Sequence, residues 1–332
     1  MDVDYSKHYF KALYVLTFFC LFLSAFYAIN YLVLAQGLTD QTVIRQKSGP
    51  TSSKTPTQIA LAKPAAPAAV ATSRINQTRS FALYDELGRQ TKSLPANLKA
   101  AGKYSDVWVD NAETIPAPLL TKLVNQIDNK IYPVDARNFA TAACRKKVPR
   151  IAVLITDTNN LDGYFDSRDV EGQNHLNLIY LNSRLVKNNM PEAFNTITHE
   201  FEHLLFYRSG GADIEWLDEG MAVYSEYMNG NFPSLYVNEY YNQPNVRLAG
   251  PFLNENNYYG AAFTFVSFAV DQVQKSHKSV PQFFQELINR SNSGTTGINV
   301  VLHRFIENKQ LDSYGEIYRT TQLRRYAASI IP

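Results

Sequence analysis

Cysteine is almost missing from this 332-residue chain, with Cys20 and Cys144 the only two. Cys20 sits inside an apolar N-terminal run, so the pair is not expected to form a disulfide and folding must rest on the core alone. Basic runs are equally scarce. The longest is "RKK" at residues 145–147, read as a solvated loop, and a net charge of +2 leaves no electrostatic footprint for nucleic acid. Residues 12–36 lack Asp, Glu, Lys, Arg and His altogether, and residues 46–75 contain no aromatic side chain. No internal repeat occurs. Apolar material is ample elsewhere: the chain is 45% hydrophobic, with 21 Tyr and 19 Phe, which excludes disorder throughout.

The uncharged segment "ALYVLTFFCLFLSAFYAINYLVLAQ" would extend roughly 37 Å as a helix, enough to cross a bilayer. It reads as a transmembrane anchor following a short tail, residues 1–11. The competing reading is a signal peptide cleaved after Val33, Leu34 and Ala35, but the run is longer than the apolar core of such a leader. Lys7 and Lys11 precede the segment while Arg45, Lys47 and Lys54 follow it, so charge sets its orientation weakly; the expectation is a single-pass protein with its bulk outside the cytoplasm. Residues 37–75, densest in Pro, Ala, Ser and Thr from 46 onward, form a linker that buries too little to fold.

Residues 76–332 are then the folded part, expected as α+β. Short strand-like runs at 104–110, 150–157 and 176–183 flank a helical stretch at 116–132. Helical periodicity dominates after residue 190, at 192–207, 217–228, 261–275, 281–289, 298–308 and 313–330. This divides the chain into an α+β lobe, 76–210, and a mostly helical lobe, 211–332.

The stretch "ITHEFEHLLF", residues 197–206, places His199 and His203 at i and i+4, on one helical face and able to share one ion. Glu200 lies about 100° away, off the metal but beside a water on it, the arrangement of zinc-dependent peptide hydrolysis. Phe194, Ile197, Phe201, Leu204 and Leu205 make the helix a buried one, whose imidazoles need partners. A catalytic zinc takes three protein ligands, so a third must come from downstream. Ser209 stands where a metzincin would carry a third His, which excludes that class. Asp213, Glu215, Asp218 and Glu219 are the acids that follow; Asp218 and Glu219 lie about 100° apart on one helix, so only one of these two is expected to face the histidines. Glu202 reads as a polar position on the helix.

"HEFEH" followed by "WLDEGMAVYSEY" resembles the gluzincin metallopeptidases, and most closely the hyicolysin-type neutral metallopeptidases. The order of "KYSDVWVD", "NQIDNKIYP", "IAVLITD", "GYFDSRD" and "IYLNS" upstream agrees. The resemblance implies a zincin-like catalytic domain holding one catalytic Zn2+ through His199, His203 and Glu219, with Glu200 as general base and Glu226 as a carboxylate supporting a ligating imidazole. It further implies a tyrosine that stabilises the oxyanion, Tyr259 or else Tyr258, and a protein or peptide substrate paired in extended form with the strand at 176–183. The implied activity is that of a membrane-tethered zinc endopeptidase. A catalytically idle module on the same fold, or a zinc aminopeptidase, are the alternatives; the aminopeptidase signature "GxMEN" is missing. His175, Asp166 and Asp169 are weak candidates for a structural cation, and His277 and His303 read as surface or packing residues.

Overall fold

In the computed structural model of the protein, the described residues are 75–332 apart from 85–89, 213, 254 and 319. The expected tail and membrane segment, and all of the linker except Ile75, lie outside them, as does Asp213. Among the described residues no helix is long and apolar enough to cross a membrane.

Six strands form one mixed sheet in the order β1-β2-β3-β4-β6-β5. They are β1 (Thr78–Tyr84), β2 (Gln90–Ala101), β3 (Ser105–Asp110), β4 (Ile151–Thr156), β5 (Gly163–Phe165) and β6 (Leu178–Asn182). The three centred on the expected runs, β3, β4 and β6, pair in parallel, whereas β1, β2 and β5 pair antiparallel. Every residue of β3, β4 and β6 is buried, which is why those runs are nearly continuous in apolar side chains. Their side chains alternate between two cores: Ile151, Val153 and Ile155 face the helices, while Ala152 and Leu154 join Phe81, Leu98, Trp108 and Tyr180 in a smaller cluster made only of strand residues. The strands β1 and β2 escaped the periodicity, because "QTKSLPANLKAA" is rich in residues with little strand preference and is extended by pairing on both sides.

Between β3 and β4 run α1 (Ala117–Gln126), a π-helical turn (Ile127–Ile131), α2 (Tyr132–Asn138) and α3 (Ala142–Lys147). Asp128, on the π turn, accepts hydrogen bonds from the Tyr104 amide at 3.0 Å and the Ser105 hydroxyl at 2.9 Å, tying this helical layer to the start of β3. The "RKK" run ends helix α3 instead of lying in a loop, and the Arg145 guanidinium reaches the carbonyl oxygens of Ala136 and Ala140. A short turn, α4 (Arg168–Glu171), precedes β6. His175 precedes β6 in a loop with φ of 46°, so it is not a strand residue.

The remaining chain is helical: α5 (Ser183–Asn188), α6 (Met190–Arg208), α7 (Glu215–Met228), α8 (Ser234–Asn242), α9 (Asn256–Lys275), α10 (Val280–Arg290), α11 (Gly294–Phe305), α12 (Tyr314–Ile317) and α13 (Thr320–Ile330). The periodicity missed α8, and the single helix expected over 313–330 is two. One cluster of buried apolar side chains extends from Val107 to Ala327, so the core is continuous across the expected lobe boundary at residue 210.

Two close approaches position the site. At Gly163, a Cβ would stand 2.5 Å from the Thr196 methyl group and 2.5 Å from the Tyr180 carbonyl, so β5 rests directly on α6 only because that side chain is missing. At Gly260 a Cβ would meet the Tyr236 carbonyl at 1.9 Å, which brings α8 against the first turn of α9. Gly163→Ala is expected to push β5 off α6 and lower stability by about 1–3 kcal/mol; an unchanged melting temperature would refute that close packing.

Candidate metal centre

Helix α6 is built to start and stop around the motif. The Asn189 side chain accepts from the Glu192 amide, Pro191 and Glu192 occupy the first turn, Arg208 the last, and Gly210 with φ of 83° turns the chain away. One face of α6 is core, with Ile197, Phe201 and Leu204 fully buried; the other carries the two imidazoles toward α7. The side chains of His199 and His203 are 17% and 16% exposed, their ring centroids lie 4.8 Å apart, and their planes cross at 81°.

Glu219 meets both from α7. Its Oε2 is 3.2 Å from His199 Nε2 and 3.8 Å from His203 Nε2, and one donor atom from each residue lies within 4.8 Å of the others. Each imidazole is also held from behind: His199 Nδ1 is 2.9 Å from Glu226 Oε1, and His203 Nδ1 is 2.9 Å from Asp218 Oδ1. Glu226 is itself anchored by the Asn231 side-chain amide at 3.0 Å. With each Nδ1 set against a carboxylate, both Nε2 atoms turn to Glu219.

Asp218 corrects the expectation that only one of Asp218 and Glu219 can face the histidines. A ring has two nitrogens on different edges, so carboxylates about 100° apart on α7 reach His203 from two directions. Glu202, His203 and Asp218 also lie within mutual metal-binding distance, but His203 Nδ1 cannot both donate to Asp218 and ligate an ion. Glu215 belongs to neither of these groupings. Glu202 is more than a polar helix position: it is fully buried, and burial together with the adjacent Asp218 pushes its carboxyl well above the usual range.

The ionisation of the centre follows from its crowding. Burial opposes charge on His203, but Asp218 and then Glu219 outweigh it and push the imidazole up to about 9. On His199 burial is likewise outweighed, by Glu219, Glu226 and Glu200, and its pKa rises well above the ordinary histidine value. Burial works against the Glu219 anion, and the two imidazoles more than offset this, so its pKa falls.

Glu200 lies beside this group, its Oε2 accepting a hydrogen bond from the Phe165 amide of β5 at 2.9 Å. A cavity of about 220 Å³ opens here, with Gly163, Thr196, His199, Glu200, Glu226, Tyr236 and Tyr259 in its walls. Glu192, Asp162, Asn195 and Asn256 complete it. Tyr259 thus lies at the site, whereas Tyr258 is outside the cavity lining and packs edge-on against Phe252. Both tyrosines sit in the first turn of α9, which begins at Asn256, five residues earlier than expected.

The strand at the cleft is β5, not the one at 176–183, because β6 is enclosed between β4 and β5. The Asn182 amide bonds the Asp162 carbonyl, and Gly163, Tyr164 and Phe165 pair in turn with Leu181, Tyr180 and Ile179. Alternation along an antiparallel pair then turns the backbone groups of Gly163 and Phe165 outward, the latter amide reaching Glu200. Sequence reasoning also passed over Tyr236, since nothing in the pattern distinguishes one of 21 tyrosines.

Asp166 pairs with Arg168 and Asp169 bonds Asn174, and among the described residues Asp166, Asp169 and His175 belong to neither group of metal-binding spacing; His303 pairs with Asp312 at 2.9 Å.

The chain matches no described family profile. It is 25% identical, over 281 aligned residues, to the neutral metalloprotease ShpI of Staphylococcus hyicus, with 75% of this chain and 62% of the relative covered. The chain therefore spans less than two thirds of that relative's length.

Proposed function

We propose that this chain is a zinc-dependent endopeptidase of the gluzincin type, tethered to a membrane by residues 12–36 with its catalytic part outside the cytoplasm. The observation that carries the reading is the convergence of His199 Nε2, His203 Nε2 and a Glu219 oxygen, with both Nδ1 atoms held by carboxylates. Two imidazole nitrogens and one carboxylate oxygen form a donor set suited to catalytic zinc. Similarity to a neutral metalloprotease supports the same reading.

In this reading His199, His203 and Glu219 hold the ion, while Glu226 and Asp218 fix the orientation of the two rings. The ion, when bound, supplies Lewis acidity toward a peptide carbonyl and toward water. Glu200 is the general base, held at the cleft by the Phe165 amide and free on its second oxygen to take a proton and return it to the leaving amine. An extended substrate adds to the sheet at β5, using the outward backbone of Gly163.

The test is hydrolysis of casein by the full-length chain, which a zinc chelator should abolish and added zinc restore; activity that survives complete zinc removal would sink the reading. The acids Asp162 and Glu192 in the cavity wall favour a second reading, an aminopeptidase that grips a substrate amine. Cleavage of peptides with free but not acetylated N-termini would select it. Glu226→Gln and Asp218→Asn are each expected to weaken zinc affinity about 10- to 100-fold, measured by competition with a chromophoric chelator.

A further inference from the structure

A second cavity, of about 540 Å³, opens between α2 and α10. Tyr132, Pro133 and Arg137 enter its wall from α2, Pro281 and Gln285 from α10, and Tyr104 and Arg145 also line it. Positions i, i+1 and i+5 on one helix, and i and i+4 on the other, put each set on one side of its helix. Phe139, just past α2, packs on Phe284 of α10 with ring centroids 4.9 Å apart and holds the two walls together. Tyr104 and Tyr132 stack with centroids 4.0 Å apart and planes within 5°, and Tyr132 stacks in turn on Phe201 at 5.3 Å. Phe201 belongs to the core face of α6, so this groove lies behind the helix, away from its imidazole face.

The groove wall carries two arginines and neither Asp nor Glu. Arg145 is fixed in place, its Nη1 donating to the carbonyl oxygens of Ala136 at 3.1 Å and Ala140 at 2.6 Å, so its charge meets backbone dipoles and no carboxylate. Arg137 is exposed, and among the described residues its guanidinium forms no ion pair. Lys103 adds a third cation, its Nζ 4.5 Å from the centre of the Tyr104 ring. The acid beside that ring, Asp128, is engaged by the Tyr104 amide and the Ser105 hydroxyl. Pro133 and Pro281 have no N–H, so the groove offers ring surface and guanidinium donors in place of a backbone edge. Guanidinium forks match carboxylates, and grooves lined by aromatic rings accept extended proline-containing chains.

We infer that the groove between α2 and α10 is a docking site for an acidic, proline-containing segment of an extended polypeptide, gripped by Arg137 and Arg145 beside the Tyr104–Tyr132 stack. Resting on the proposed peptidase reading, that polypeptide is the substrate, held at a second point away from the bond being cleaved. The stacked rings and the Arg145 guanidinium are in position before the segment arrives, so little ordering is lost on docking. A second contact on one chain raises the effective concentration of the rest of that chain at the metal centre. Docking therefore favours long acidic substrates and does nothing for short ones.

The experiment titrates the full-length, zinc-loaded protein into a fluorescent peptide of alternating Glu and Pro, and into its counterpart with Lys for Glu, reading anisotropy. Wild type should bind the acidic peptide at least about tenfold more tightly than the basic one, and more weakly as salt rises. Arg137→Glu should weaken that binding at least about tenfold. The Arg137 side chain anchors no other element, so melting temperature, zinc content and kcat/KM on a short neutral quenched peptide should stay those of the wild type. On a long acidic protein the variant's kcat/KM should fall by about the same factor as its peptide binding. Absence of binding by the wild type, or equal binding by Arg137→Glu, overturns the inference. Citrate that displaces the peptide as effectively as unlabelled peptide does would mark a site for small anions and overturn it too. Unchanged kcat/KM on the acidic protein refutes the role in substrate capture. Should the wild type hydrolyse nothing, the peptidase reading fails, while the titration needs no turnover and still decides on the groove.

Discussion

Replacing Glu200 with Gln is expected to lower peptide hydrolysis by about 100- to 10,000-fold, the usual range for loss of a general base, while zinc content stays that of the wild type. Gln has the shape of Glu, and its carbonyl oxygen can still accept from the Phe165 amide that Glu200 now engages at 2.9 Å. The change thus removes the ability to take a proton while preserving the contact between α6 and β5. Glu219→Ala separates binding from chemistry in the opposite sense. It takes away the oxygen lying 3.2 Å and 3.8 Å from the two Nε2 atoms, so both zinc and hydrolysis should be lost together. The paired measurement is zinc by mass spectrometry and hydrolysis of a quenched peptide. Full activity in Glu200→Gln, or full zinc in Glu219→Ala, would remove the basis of the assigned roles.

Zinc affinity should rise steeply with pH. In the metal-free centre burial is outweighed by nearby carboxylates, pushing His203 up to about 9 and His199 well above its ordinary value, so both imidazoles carry protons at neutrality. An ion can enter only by displacing those protons. Below both pKa values the affinity should therefore climb by up to about 100-fold per pH unit, levelling off as pH passes the higher of the two. The same protons act on folding with the opposite sign. Because the folded His203 value exceeds the unfolded value of about 6.5, its pairing stabilises the metal-free protein fully below that value and is lost as pH rises through about 9. Competition titrations between about pH 6 and about pH 8, with thermal melts of metal-free protein, test both signs. An affinity that does not change with pH contradicts the carboxylate–imidazole pairing.

Parts of this arrangement were legible because they are local. A spacing of four residues puts His199 and His203 on one side of any α-helix, and Glu200 next to them follows from the same helical turn. Continuous apolar runs marked β3, β4 and β6, since strands buried on both faces can be little else. The strands β1 and β2 were not legible, because their extension depends on pairing partners more than on their own residues. Nor was the substrate edge: the eight-residue run around β6 advertised a strand, but the three-residue β5 took the outside position.

The amino-acid order alone determined the imidazole pair, its adjacent acid and the three parallel strands β3, β4 and β6, since each is set by backbone geometry over a few residues. The meeting of α6 with α7 decided which oxygens reach which nitrogens, placing Glu219 at the Nε2 atoms and Asp218 and Glu226 at the Nδ1 atoms. Likewise the contact of α8 with α9 decided that Tyr236 stands in the cavity beside Tyr259. These choices depend on how helices distant along the chain cross, and that is fixed by the packing of side chains and by the space left at Gly163 and Gly260.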